Sequence, residues 1–428
     1  MNDKLLKKAI NKHKAGHSRE AQTLYKKILK SQPQHIDANY MLGTLYAEQG
    51  DINNSLKYLK IAEQLAPRSP YVKNNLGNIF RMQGDYEAAA VKYQEALNLQ
   101  PDMIEALNNL AIVQRRLNHI PQAISLYKNA IALSPTFVEA HFNLGKAYWD
   151  EQQYEDAKAC FQRVLEINPQ HARAWHEMGN YYLKHEDKAQ AIACFEKYLS
   201  LSKEDECGAR LKLSYLNAGE IPERQPEQLV KQTYEKKART WDQDVARIDM
   251  TFLGPQLVHE ALQQQLAGAK ELAVLDIGCG TGLCAPFLKP VAKRLHGVDI
   301  SEHMLEIARQ KNLYDELVCD DIVRYLTNAC DEYDLVTGSG VLIFFGDLSA
   351  MFTAVAQRLN SDGYFIFTLY KSSDADIEIR DNMHFAHSEN YIRSLAAQSN
   401  LNVIKIEPAV HEYEHDQPQP GFIVVLQK

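Results

Sequence analysis

Five prolines keep a fixed interval. Pro33, Pro67, Pro101, Pro135 and Pro169 each stand 34 residues after the one before. Other positions keep the same step: Gly43, Gly77, Ala111, Gly145 and Gly179, and also Ala21, Ser55, Ala89, Ala123, Ala157 and Ala191. Rings join them at Tyr25, Tyr93, Tyr127, Phe161 and Phe195. A period of this length means one small helical unit copied and stacked, because a single unit cannot bury its own apolar face. Glycine or alanine lets the two helices of a hairpin approach closely. The ring lies one helical turn beyond its small neighbour and fills the space beside it. Proline ends the second helix and starts the next unit. Such a stack buries one continuous core and presents a concave face.

The clearest unit, "YVKNNLGNIFRMQGDYEAAAVKYQEALNLQP", resembles the tetratricopeptide repeat (TPR). The resemblance covers residues 2 to 205 in about six copies, and "CGARLKLSYLNAG" at 207 to 219 reads as a capping helix. It implies an all-α superhelix over residues 1–218, a surface for partners with no chemistry of its own. The sixth position of successive units is Asn75, Asn109 and Asn143, flanked by Met41 and Glu177. This row resembles the asparagine ladder of O-GlcNAc transferases and kinesin light chains, which clamps an extended peptide. An amide offers both donor and acceptor, so it pairs with any peptide group. The resemblance implies a protein or peptide in the groove; solvated asparagines are the plain alternative.

"GEIPERQPEQLV", residues 219–230, carries glycine and two prolines and reads as a linker. Over 231–428 the period is gone and short β-branched runs alternate with helical stretches. "ELAVLDIG", "RLHGVDI", "ELVCDDI", "EYDLVTGS" and "GYFIFTLY" read as strands. "LCAPFLKPVA" opens a helix after the first and "SEHMLEIARQ" forms one after the second. That alternation predicts a doubly wound α/β sheet. Its ligand sits at the carboxyl ends of the strands.

Three glycines follow the first strand. A P-loop needs Lys before Ser or Thr, and a dinucleotide fingerprint needs glycine where Leu283 stands. The sequence instead reads D-x-G-x-G-x-G: Asp276, Gly278, Gly280 and Gly282. This resembles motif I of class I S-adenosylmethionine (SAM) methyltransferases, and later segments follow that family in order. Asp299, followed by Ile300, matches the acid that takes both ribose hydroxyls. Met304 matches an apolar side chain packed on adenine. Asp321, with the Ile322 backbone beside it and in preference to Asp320, matches the acid on the adenine amino group. Ser339 and Gly340 match the floor of the active site. "LNVIKIEPAVHEY" and "GFIVVLQK" match the closing antiparallel hairpin, in strand order 3-2-1-4-5-7-6. "YEKKARTWD" resembles a lid segment of small methyltransferases, with Tyr234 and Trp241 as its rings and Asp242 as its second acid. Such a lid excludes water and adds cation–π attraction for a sulfonium. The alternative is that its rings anchor the helix.

Together these resemblances imply a multidomain α plus α/β chain: a TPR superhelix, then a Rossmann-like seven-stranded class I methyltransferase domain over 231–428. The implied activity is that of the bacterial TPR–methyltransferase fusions, with S-adenosylmethionine as cofactor and no metal. The acceptor stays open: a protein or peptide in the groove, or a small molecule with the repeats as docking module. A third possibility is a non-catalytic SAM-binding adaptor.

A base is needed only if the acceptor must shed a proton. "TGSGVLIFFGDL" lacks the acid or Asp-Pro-Pro-Tyr motif of adenine and amide-nitrogen methyltransferases. His387 and Tyr391, near His384 in "MHFAHSENYIRSL", are the candidate catalytic residues; His387 at a helix start is the alternative. "HEYEH", 411–415, matches the zinc motif H-E-x-x-H, but Pro408, Pro418 and Pro420 fence it into a strand. Zinc binding needs both histidines on one helix face. Cys279 and Cys284 read as packing residues.

A net charge of −8 lends no support to a nucleic-acid partner. No run approaches the roughly 18 apolar residues of a membrane span. The Lys-rich N-terminus lacks the apolar core of a signal peptide, and seven scattered cysteines read as reduced thiols. The expected location is cytoplasmic.

Overall fold

A computed structural model describes residues 2–245, 252–414 and 416–428. The chain divides into two compact units, Met1–Glu186 and Asp187–Lys428.

In the first unit, helix pairs follow the proline period. They are Asn2–Lys14 with Ser18–Ser31, Ile36–Glu48 with Ile52–Leu65, Pro70–Met82 with Tyr86–Leu99, Ile104–Arg116 with Ile120–Leu133, and Val138–Asp150 with Tyr154–Ile167. Ala172–Lys184 follows them. The rings Tyr25, Tyr93, Tyr127 and Phe161 are fully buried. A Cβ at Gly77 would lie 2.6 Å from the Tyr93 ring, and one at Gly145 2.6 Å from that of Phe161. The ring thus fills the space left by the glycine of its own unit, across the hairpin.

A second periodic feature went unread in the sequence. The residue that reverses the chain between paired helices is left-handed: Gly16, Gly50 and Gly84, then Asn118 and Gln152. The first three units use glycine, which has no Cβ to clash; the later ones carry a side chain there. Asp51 and Asp85 follow, and their side chains accept the N–H of Asn54 (3.1 Å) and Ala88 (3.0 Å) to start the next helix.

The second unit is built on a nine-stranded sheet. Its strands are β1 (Leu272–Ile277), β2 (Ala292–Asp299), β3 (Glu316–Cys319), β4 (Tyr333–Gly338) and β5 (Leu359–Lys371). β6 (Ile377–Ile379), β7 (Phe385–His387), β8 (Asn402–Glu414) and β9 (Gln417–Gln427) complete it. β3, β2, β1, β4 and β5 run parallel. β9 pairs antiparallel with β5, and β8 with β9. This is the expected order, with β9 and β8 as the closing hairpin. β6 and β7 are additional. β4 pairs with β5 only as far as Phe367, and β7 pairs with the tip of β5 at Tyr370 and Lys371.

Apolar side chains cover both sheet faces, as a parallel sheet requires. Leu275, Phe352, Phe365 and Phe367 centre one layer; Val258, Leu262, Leu295 and Ile366 centre the other. The helix expected after β1 is a single turn, Ala285–Leu288. Pro290 cannot continue it. The segment 219–230 is fastened to the sheet unit. Glu223 O accepts from Gly346 N (2.8 Å) and Asp347 N (2.9 Å), and Gln225 N donates to Phe344 O (2.8 Å). Helix Glu227–Lys237 follows directly.

Candidate active site

The carboxyl ends of β1, β2 and β4 open on a cavity of about 600 Å³. That volume suits a ligand cleft, about 300–1,000 Å³. Its floor is the glycine loop, where Gly278, Gly280 and Gly282 all have positive φ (63°, 54° and 84°). A Cβ at Gly280 would meet nothing within 4 Å, so its backbone stands bare at the cavity. Gly282 does not line the cavity; a Cβ there would lie 2.9 Å from the Tyr314 ring.

Two carboxylates stand beside this loop. Asp276, 1 % exposed, accepts the hydroxyls of Tyr314 (2.6 Å) and Thr337 (3.2 Å). Burial pushes its pKa up to about 7, against the pull of both hydroxyls. Asp299 accepts Gly280 N at 2.9 Å on one oxygen and Ser301 N at 2.8 Å on the other. Burial raises it too, against those N–H groups. Each of its oxygens keeps a further acceptor position. Ile300, Met304 and Ile322 add apolar wall. Asp321 lines the cavity and Asp320 does not. Asp321 caps Arg324 N (3.0 Å) and accepts from Arg224 Nη2 (2.7 Å). Burial raises its pKa, but these partners outweigh burial and hold it below the ordinary carboxylate value. Ser339 and Gly340 also line the cavity, and the Ser339 hydroxyl is buried with no partner among the described residues.

Tyr234 and Trp241 also line the cavity. Their rings meet edge-on at 5.4 Å, and Tyr234 meets Phe344 at 5.6 Å. Asp242 ties this segment to the glycine loop. It accepts the Thr281 hydroxyl and pairs with Lys311 Nζ at 2.7 Å.

Tetratricopeptide-repeat families match residues 6–70, 77–118, 118–181 and 148–212, and a methyltransferase-domain family matches 250–405. The chain carries tetratricopeptide repeats and a methyltransferase domain. Its curated relatives include human methyltransferase-like protein 27, 43% identical over 20% of this chain and 34% of that protein. Malonyl-[acyl-carrier protein] O-methyltransferase of Priestia megaterium is 28% identical over 33% of this chain and 52% of that one. Ubiquinone biosynthesis O-methyltransferase of Xanthomonas euvesicatoria pv. vesicatoria is 28% identical over 32% of this chain and 59% of that one. The chain spans between about a third and three fifths of the length of these relatives. No helix among the described residues is long and apolar enough to cross a membrane.

Two sequence-picked residues are not brought to the cavity of the methyltransferase domain. His387 lies in β7, fully buried, and its Nε2–H donates to Gly346 O at 2.9 Å. Burial pushes its pKa down to about 4. The Tyr391 hydroxyl accepts Leu348 N and donates to Asp347, each at 3.0 Å. The helix-start role falls to Ser388, which accepts Tyr391 N at 3.0 Å. His384 does line the cavity; burial, then Lys237 and Arg380, lower its pKa to about 4. Sequence reasoning passed over Arg224, Tyr370, Asn382 and Glu412, all on the cavity wall. The H-E-x-x-H segment forms no zinc-binding helix among the described residues. His411 through Glu414 are in strand β8; His415 lies outside the described residues.

In the TPR unit the asparagine row is cross-tied. Asn75 Nδ2 donates to Tyr40 Oη (3.2 Å) and Thr44 Oγ1 (3.0 Å). Asn109 Nδ2 donates to Asn74 (3.1 Å) and Asn78 (3.3 Å), and Asn143 Nδ2 to Asn108 (3.2 Å). Each amide nitrogen therefore bonds the preceding unit. Glu177, at the same position two units further along the groove from Asn109, accepts from Lys146 at 2.7 Å.

Proposed function

We propose that the chain is an S-adenosylmethionine-dependent methyltransferase whose TPR groove holds a protein or peptide. The cofactor reading rests on Asp299. Its carboxylate is oriented by two backbone N–H groups beside a bare glycine backbone, with acceptor capacity left on both oxygens. That is the chemistry a vicinal ribose diol needs. Met304, Ile300 and Ile322 offer an apolar slot for adenine, with Asp321 at its edge. Bound there, the cofactor supplies an electrophilic methyl group on a sulfonium. Tyr234 and Trp241 face the site as shields against water and as π-faces for a cation. The Asp242–Thr281 and Asp242–Lys311 contacts keep their segment over the loop.

Support for the partner is the asparagine row. With its amide nitrogens engaged, the row offers carbonyl oxygens, which accept from peptide N–H groups. The name of the Priestia relative, which acts on a protein-borne group, favours a protein-linked acceptor. The name of the Xanthomonas relative favours the second reading, a small-molecule acceptor with the repeats as docking module.

Asp299→Ala tests the cofactor reading. Two charge-assisted contacts are worth about 3 kcal/mol, so SAM affinity by calorimetry is expected to fall about 100-fold or more. Far-ultraviolet circular dichroism is expected to stay unchanged. Wild-type affinity in the variant refutes the reading. Methyl-labelled SAM incubated with extract then separates the acceptors. Label in the protein fraction supports the groove, and label confined to small molecules supports the docking module.

A further inference from the structure

The H-E dipeptide of β8 sits where the strand pairing breaks. Val410 pairs with Pro420 and Glu412 with Gln419, so His411 is an extra residue in the ladder. Its carbonyl accepts Leu253 N (3.0 Å) instead of a ladder partner. A bulge of this kind re-aims side chains, and bulges gather near active sites. Here His411 and Glu412, which a regular strand would send to opposite faces, both line the cavity.

The two side chains are held differently. Gly340 N donates to Thr368 Oγ1 at 3.0 Å, and Thr368 Oγ1 lies 3.2 Å from His411 Nε2. The threonine oxygen accepts from Gly340 N and keeps a second lone pair, so either Oγ1 or Nε2 can be the donor of this bond. The other ring nitrogen, Nδ1, is buried with no partner among the described residues. His411 is 1 % exposed; burial, then His384 and Arg380, lower its pKa to about 3, so the ring is neutral. Glu412 accepts the Tyr370 hydroxyl on Oε1, and Asn382 Nδ2 reaches that hydroxyl at 3.4 Å. Among the described residues nothing donates to its other oxygen. Burial raises the Glu412 pKa, and Glu414 adds to this; Tyr370, Arg380 and Lys237 pull it down.

We infer that Glu412 is the base of this site and that the acceptor is a neutral hydroxyl, an alcohol or a phenol. The inference rests on the cofactor reading above. A hydroxyl carries a proton that the open Glu412 oxygen can accept. A carboxylate acceptor needs no base, and in this cavity it would meet Glu412, Glu414 and Asp244 as well as the cations Lys237 and Arg224. In the step, the acceptor oxygen bonds to the methyl carbon as the carbon–sulfur bond breaks, its electron pair staying on sulfur. The hydroxyl proton passes to Glu412. Tyr370 and His411 are positioning residues.

Binding tests this without turnover. Full-length protein saturated with S-adenosylhomocysteine, the demethylated cofactor, is titrated by calorimetry with catechol and with benzoate. Catechol is expected to bind at least about tenfold more tightly. In Glu412→Gln, catechol weakens and benzoate tightens until the preference is gone. No preference in the wild type, or the same preference in the variant, overturns the inference. Failure of S-adenosylhomocysteine itself to bind overturns the cofactor reading and this inference with it. In turnover with labelled SAM and extract, E412Q is expected to slow transfer about 100-fold or more with SAM affinity kept, and Glu412→Asp to recover part of it. The labelled product is expected to survive alkali, as ethers do. Label released as methanol in alkali marks an ester, hence a carboxylate acceptor, and overturns the inference.

Discussion

Glu177 and Asp276 are equally sunk in their units, 6 % and 1 % exposed, yet burial ends differently for each. Burial raises the pKa of Glu177, but Lys146, His176 and Asn180 outweigh it and hold it at about 2. Among the described residues Asp276 has the hydroxyls of Tyr314 and Thr337 alone, and it rises to about 7. A cation compensates a buried charge; neutral donors compensate it in part. The origin of the partners differs too. Lys146 stands on the neighbouring repeat, at a spacing that the period repeats. Tyr314 and Thr337 come from 38 and 61 residues along the chain, brought in by the sheet. The repeat unit solves its problems with its neighbour, and the sheet unit solves them with whatever topology delivers.

The two carboxylates predict opposite responses to pH. Asp276 has a folded pKa above its ordinary 3.8, so its contribution is whole below 3.8 and lost as pH rises through 7. Amide-exchange protection of β1 should therefore fall by on the order of 4 kcal/mol between acid and mildly alkaline pH. Asp276→Asn should remove most of that slope. A variant with the wild-type slope would break the comparison.

Glu177 runs the other way. Its folded pKa lies below its ordinary 4.5, so its contribution is present above 4.5 and lost as pH falls through about 2. Lys146→Met leaves the buried carboxylate without its cation. Exchange protection in helix Ala172–Lys184 should drop by about 3 kcal/mol at neutral pH, and its acid dependence should flatten. If β1 lost protection by the same amount, the change would be global and the local reading wrong.

These origins also explain what was legible in the sequence. The repeat unit was read almost whole, because each contact recurs every 34 residues and glycine and ring mark it. In the sheet unit the glycine loop, Asp299 and Met304 were legible because strand, turn and helix start are contiguous in sequence. Arg224, Tyr370 and Glu412 were not, since each reaches the cavity from a separate segment. The bulge at His411 erases the two-residue alternation that would have shown which side chains face inward. His387 and Tyr391 were candidates because they follow the fifth strand, where acceptor-binding residues arise in the resembled family, but β7 pairs with the tip of β5 and turns the histidine onto the Gly346 carbonyl.

Two glycines sharpen the contrast at the smallest scale. Gly145 is there for space, since a Cβ would meet the Phe161 ring at 2.6 Å. Gly145→Ala should overpack the hairpin and lower protection in helix Val138–Asp150 by about 1–2 kcal/mol, after the better helix propensity of alanine offsets part of the clash. Phe161→Leu in the same chain should recover part of that loss. Gly280 has open space around its missing Cβ but a φ of 54° and a backbone facing the cavity. Gly280→Ala should cost about 1 kcal/mol in strain and leave the repeat helices untouched. Its larger effect should be on SAM affinity, because the added methyl stands in the cavity beside Asp299. An alanine there that binds SAM as the wild type does would mean that the bare backbone serves the turn alone, and that Asp299 acts without it.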